Sequence, residues 1–85
     1  MKTEYLVTAR RKDSPEELGQ TVWGFAFSHA MQWIERHEAR HGGQHLYQVK
    51  TRTLVGNEWQ VTAEQFFTTN GAEITEAQFV QAVKG

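Results

Sequence analysis

Hydrophobic and polar positions alternate at the start of the chain. Over residues 4–10, Tyr5, Val7 and Ala9 fall on one side and Glu4, Leu6, Thr8 and Arg10 on the other. A period of two in β-branched and aromatic residues predicts a strand, closed by the basic run Arg10-Arg11-Lys12. The next segment supports two readings. Ser14-Pro15-Glu16-Glu17 carries the cap, first-turn proline and glutamate of a helix start, and such a helix would run on to Gly42-Gly43. Inside it, however, Gly19 and Gly24 would each cost about 1 kcal/mol. The run Val22-Trp23-Gly24-Phe25-Ala26-Phe27 also has no polar face. As a strand it sorts cleanly, with Trp23, Phe25 and Phe27 opposite Val22, Gly24 and Ala26. The preferred reading is a turn at 14–17, an exit at Gly19 and a strand over 20–27.

Ser28 then caps a predicted helix over 29–41, with Ala30, Ile34, Glu38 and His41 on one stripe, Met31 beside it and Gly42-Gly43 as its stop. A second strand follows over 45–55. His45, Tyr47, Val49, Thr51, Thr53 and Val55 share a face; Gln48, Lys50 and Arg52 point away. Gly56-Asn57 signals a turn, and a partner strand begins at Trp59 and Val61. Joining the apolar faces pairs Val55 with Trp59 and Thr53 with Val61, which requires an odd-length loop or a bulge near Gly56–Glu58. The tail contains an echo: Val61-Thr62-Ala63-Glu64-Gln65-Phe66 matches Ile74-Thr75-Glu76-Ala77-Gln78-Phe79. Each copy has a Thr cap, Gln three residues later and an apolar staple. Short helices are therefore expected at 63–68 and 76–84, separated by Asn70-Gly71. The predicted order is ββαββαα: one α+β domain over 1–85, an antiparallel sheet with one main helix packed on it and a short helical C-terminal tail.

The chain's 85 residues leave room for one small core, burying about 64% of the extended chain's surface, and not for a deep enclosed cleft as well. A hydrophobic content of 39% with 12% aromatic residues argues against disorder. Cysteine is absent, which excludes disulfides, thiolate catalysis and Cys-based metal sites. No run approaches the roughly 18 apolar residues of a membrane span, and no signal-peptide pattern opens the chain. A cytoplasmic location is expected. The net charge of −1 gives no global pull toward nucleic acid or anionic lipid. No Gly-rich phosphate loop or nucleophile elbow occurs, so no cofactor is expected. In size and composition the chain looks like many small accessory proteins of bacteria, their phages and plasmids.

Three features carry candidate chemistry. His37-Glu38-Ala39-Arg40-His41 fits H-E-x-x-H, a pattern in which two His on one helical face bind zinc and the Glu polarises a water. His45 is the nearest third ligand, with Glu58 and Glu64 as other options. The plainer reading is a solvated helix C-terminus, where His and Arg suit the macrodipole. Charge is the second feature. Arg10, Lys12, Lys50 and Arg52 would line one sheet face if the first and third strands are neighbours, while residues 58–76 carry Glu58, Glu64, Glu73 and Glu76 and no Lys or Arg. Third, Trp33 falls off the stripe of the main helix and would mark a contact surface if exposed. A helix-turn-helix over 62–84 is rejected, because the would-be recognition helix is entered by Glu73 and Glu76. The leading expectation is a small non-enzymatic cytoplasmic protein-interaction module that binds a protein partner through Arg10, Lys12, Trp33, Lys50 and Arg52, with a homodimer left open. The alternatives are nucleic-acid binding through the basic face, and a minimal zinc site at His37, His41 and His45.

Overall fold

The computed structural model describes residues 2–11, 17–21, 23–24, 26–41, 45–68 and 71–84. Of the expected turn at 14–17 only Glu17 is described, and it opens a strand; positions 14–16, Lys12 and the Gly42-Gly43 stop lie outside the described residues. The elements are β1 (Thr3–Arg11), β2 (Glu17–Gln20), α1 (Phe27–His41), β3 (His45–Val55), β4 (Glu58–Phe67), β5 (Glu73–Ile74) and α2 (Glu76–Lys84). The strands form one antiparallel sheet in the order β2-β1-β3-β4-β5. The α+β class and its antiparallel sheet are as expected. The order is ββαβββα instead of ββαββαα.

β1 and β3 pair along their whole length, from Thr3 opposite Thr53 to Arg11 opposite His45. Alternation therefore lays Tyr5, Val7 and Ala9 beside Tyr47 and Val49 on one face of the sheet. α1 packs there with Ala30 and Ile34, flanked by Phe27, Met31 and Trp33. The other face carries Glu4, Leu6 and Thr8 beside Gln48, Lys50 and Arg52. α2 covers one end of it: Phe79 and Val83 bury against Leu46 and Phe66.

The long-helix reading of 14–41 does not hold. The chain leaves β1 and returns along it as β2, four residues long and beginning earlier than the expected 20–27. Thr21 extends the contact, its amide donating to the Val7 carbonyl at 2.9 Å and its hydroxyl accepting from the Val7 amide at 3.0 Å. Gly24 then bridges Tyr5. α1 starts at Phe27, two residues before the predicted position.

The helix expected at 63–68 is a strand, because β4 runs through Phe67. Burial on two sides explains this. Phe67 packs into the α1 layer and Phe66 into the α2 layer. Neighbouring residues reach opposite faces only in a strand; on a helix they lie about 100° apart. The second copy of the capping pattern does form its helix. The Gln78 amide donates to Thr75 Oγ1 at 3.1 Å and the Thr75 amide to Gln78 Oε1 at 2.9 Å, the reciprocal bonds of a capping box. The same local signal thus yields a strand where the chain is already paired with β3, and a helix where it is not.

The hairpin also departs from expectation. Its loop has two residues, with Gly56 at φ 62°, the left-handed value that a primed turn demands. Val55 opposes Glu58, Leu54 opposes Trp59 and Arg52 opposes Val61. Trp59 and Val61 therefore join the Arg52 face. The register shifts between Arg52 and Thr51, which opposes Ala63 and leaves Thr62 as the extra residue. This bulge lies at Thr62, not near Gly56–Glu58, and it restores the phase that Phe66 and Phe67 need.

Candidate functional site

Two places gather chemistry. The first is the sheet face opposite α1. Arg10, Lys50 and Arg52 do share it, but the register spreads them out. Arg10 sits beside Leu46 and Arg52 beside Glu4, six positions apart along β3 or about 20 Å. Arg52 does not point to water. Its Nε and Nη2 donate to Glu4 Oε1 at 2.8 and 2.6 Å. Its guanidinium also lies between two indoles, 4.0 Å from the Trp23 ring centre and 4.5 Å from that of Trp59. Both partners are largely buried, with side-chain exposures of 25% for Arg52 and 11% for Glu4. Lys50 stands opposite Glu64 in the neighbouring strand, and Gln48 donates to Glu64 at 3.3 Å. Carboxylates thus interrupt the row of cations at two positions. Where α2 crosses this face, a 350 Å³ groove is floored by Phe66, Phe79 and Val83 and rimmed by Arg10, Glu64 and Lys84.

The β3–β4 hairpin turns at Gly56-Asn57, past Thr53, where the register with β1 ends. Val55, Trp59 and Val61 are exposed there, at 50%, 38% and 56%. β5 pairs with β4 only at Phe66 and Phe67. Among the described residues, positions 58–64 of β4 have no strand on their outer side, and all seven are exposed. Glu58 and Glu64 bracket this open edge.

The second place is the junction between the end of α1 and the start of β3. The last helical turns bring His37 and Glu38 to the sheet, and β3 returns beside them with His45 and Tyr47. The Tyr47 hydroxyl donates to Glu38 Oε1 at 2.5 Å and lies 2.9 Å from His37 Nδ1. His45 Nδ1 is 3.6 Å from Glu38 Oε1. The two imidazoles meet edge to face, 5.0 Å between centroids, and Trp33 stacks on His37 at 4.9 Å. Burial, reinforced by the bond to Glu38 and its charge, pushes the Tyr47 phenol far above its ordinary range. It therefore serves Glu38 as a neutral donor. One nitrogen from each of His37 and His45 and one Glu38 oxygen fall within 4.8 Å of one another.

This arrangement differs from H-E-x-x-H. Glu38 converges with the two imidazoles instead of standing apart as a base, and His45 is within reach despite lying beyond the helix stop. The His41 side chain lies outside the described residues. Trp33 is half-buried, packed between the core and His37. Sequence reasoning missed Glu4 and Trp23 as partners of Arg52; the parity of Glu4 was a signal once β1 and β3 pair, whereas Trp23 lies outside both strands. It also missed Tyr47 as the hydroxyl joining His37 to Glu38, which no spacing rule marks. Comparison with protein-family models, with curated proteins and with solved structures found no match for this chain.

Proposed function

We propose that this chain is a small non-enzymatic protein-interaction module of the cytoplasm that binds through the outer end of its β3–β4 hairpin. The observation that carries this reading is the open edge of β4. Seven consecutive exposed residues present unpaired strand edge, beside exposed Val55, Trp59 and Val61. An edge of this kind is a template for another strand, and globular proteins normally blunt it with Lys, Pro or a covering element. Here the flanking charges are Glu58 and Glu64, so the favoured occupant is an extended, basic segment of a partner protein added as a further strand. Self-pairing is disfavoured. Two copies joined antiparallel about Val61 would set Glu58 of one against Glu64 of the other, and like charges directly opposite destabilise a strand pair.

Nucleic-acid binding through the sheet face is the weaker reading, because Arg52 is already matched by Glu4 and enclosed by two indoles. The test is affinity capture from cell extract with the wild-type chain and with a Glu58→Lys/Gln60→Lys variant, whose cross-strand neighbours Val55 and Thr53 carry no charge. Both positions are exposed, so the variant should melt like the wild type. A protein retained by the wild type and lost by the variant, with amide exchange slowed at 58–64 in the complex, supports the reading. Equal retention by both, or protection confined to the α2 groove, refutes it.

A further inference from the structure

The junction of α1 and β3 has the makings of a metal site. We infer that His37, Glu38 and His45 bind a divalent transition ion of the zinc class, with Tyr47 positioning the carboxylate. The three donors come from two elements that the core holds together. α1 is anchored by Ala30 and Ile34 against Val7 and Val49, and β3 by the same cluster through Tyr47, which is fully buried. The ligands are thus set by rigid structure and not by a loop.

The distances suit the chemistry. Zinc bound at 2.0–2.2 Å in a tetrahedron holds its ligand atoms roughly 3.4 Å apart. The His45–Glu38 separation of 3.6 Å already meets this. It is also longer than a good hydrogen bond. The full set spans 4.8 Å, so small side-chain rotations close it. Two imidazoles and one carboxylate favour zinc, cobalt or copper over magnesium or calcium, which take oxygen ligands.

The surroundings support the ligands in the way metal sites require. Tyr47 donates to the Glu38 oxygen and fixes that carboxylate. Trp33, stacked on His37, walls one side of the ring and limits access of water. His45 is itself buried. The reading differs from the sequence motif in a testable way: Glu38 is itself a ligand, and His45, from the strand beyond the helix, joins it.

The experiment is titration of the metal-free full chain with Co2+ and with Zn2+, the latter in competition with a chromophoric chelator. One ion per chain is expected, with the visible absorption of low-symmetry cobalt. Glu38→Gln keeps an acceptor for Tyr47 yet should weaken binding about tenfold or more. His45→Gln should do the same, whereas His29→Ala, outside the cluster, should leave affinity unchanged. Imidazole NMR of the wild type under Zn2+ guards against variants that fail to fold: the His37 and His45 rings should shift and that of His29 should not. The inference is overturned by lack of competition with the chelator, by full affinity in Glu38→Gln or His45→Gln, or by zinc-induced shifts that leave His45 unmoved.

Discussion

Replacing Phe79 with Ala tests whether α2 belongs to the folded unit. The side chain is 6% exposed, and its ring lies 4.7 Å from that of Phe66, with Leu46 and Val83 completing the cluster. A buried aromatic removes about 150–250 Å² from water, and truncating one to Ala costs about 3–5 kcal/mol. A domain of this size is stable by roughly 4–13 kcal/mol, so the loss is a large share of the total. In urea, with a slope of about 1 kcal/mol/M, the midpoint should fall by about 3–5 M. Val80→Ala, at an exposed position of the same helix, should stay within about 0.5 kcal/mol of wild type. A Phe79→Ala loss below about 1.5 kcal/mol with an unchanged slope would refute the docking of α2. It would free the Leu46–Phe66 surface as the binding face in place of the β4 edge.

Arg52→Glu should lower stability by about 2–4 kcal/mol, since it sets two carboxylates together on a largely buried position and removes a cation from between two rings. Lys50→Glu, facing Glu64 on a more open part of the sheet, should cost less than about 1 kcal/mol; equal losses in chemical denaturation would show that the Glu4–Arg52 pair is not buried as described. Tyr47 governs alkaline stability. Its folded phenol ionises only well above the ordinary value, so its contribution is complete below about pH 10 and is lost as pH rises beyond that, where only the unfolded chain releases the proton. Denaturation curves measured across this range should decline in the wild type, and the decline should shrink in Tyr47→Phe; identical slopes would contradict the assigned burial.

Much of the architecture was legible because period and parity report faces directly. The alternation of 4–10 and 45–55 identified both central strands and the face each residue takes, so that Arg10, Lys50 and Arg52 fall on one face once those strands pair. The stripe Ala30–Ile34 located α1 and brought Glu38 to the sheet. Registers were not legible. Whether Trp59 meets Val55 or Leu54 depends on one residue of loop, and the two-residue turn with left-handed Gly56 won, sending Trp59 to Arg52. The capping pattern at Thr62 was a true local preference that lost to pairing with β3 and to the separate burial of Phe66 and Phe67. The convergence at His45 needed the α1–β3 packing, because residues on either side of a helix stop carry no shared period.

The extra residue at Thr62 has a consequence for how this chain can change. Below the bulge, Phe66 and Phe67 must keep their phase, or the two layers exchange side chains and both lose their fill. Above it, Arg52 and Trp59 still belong to the cluster with Glu4 and Trp23, while the turn from Val55 to Glu58 lies past Thr53, where the register with β1 ends. Substitutions there, or paired insertions of two residues in each strand, leave the lower register untouched. The turn from Val55 to Glu58 is therefore a segment whose sequence and reach can diverge, while the Arg52 cluster and the bulge at Thr62 belong to the part that folds the molecule.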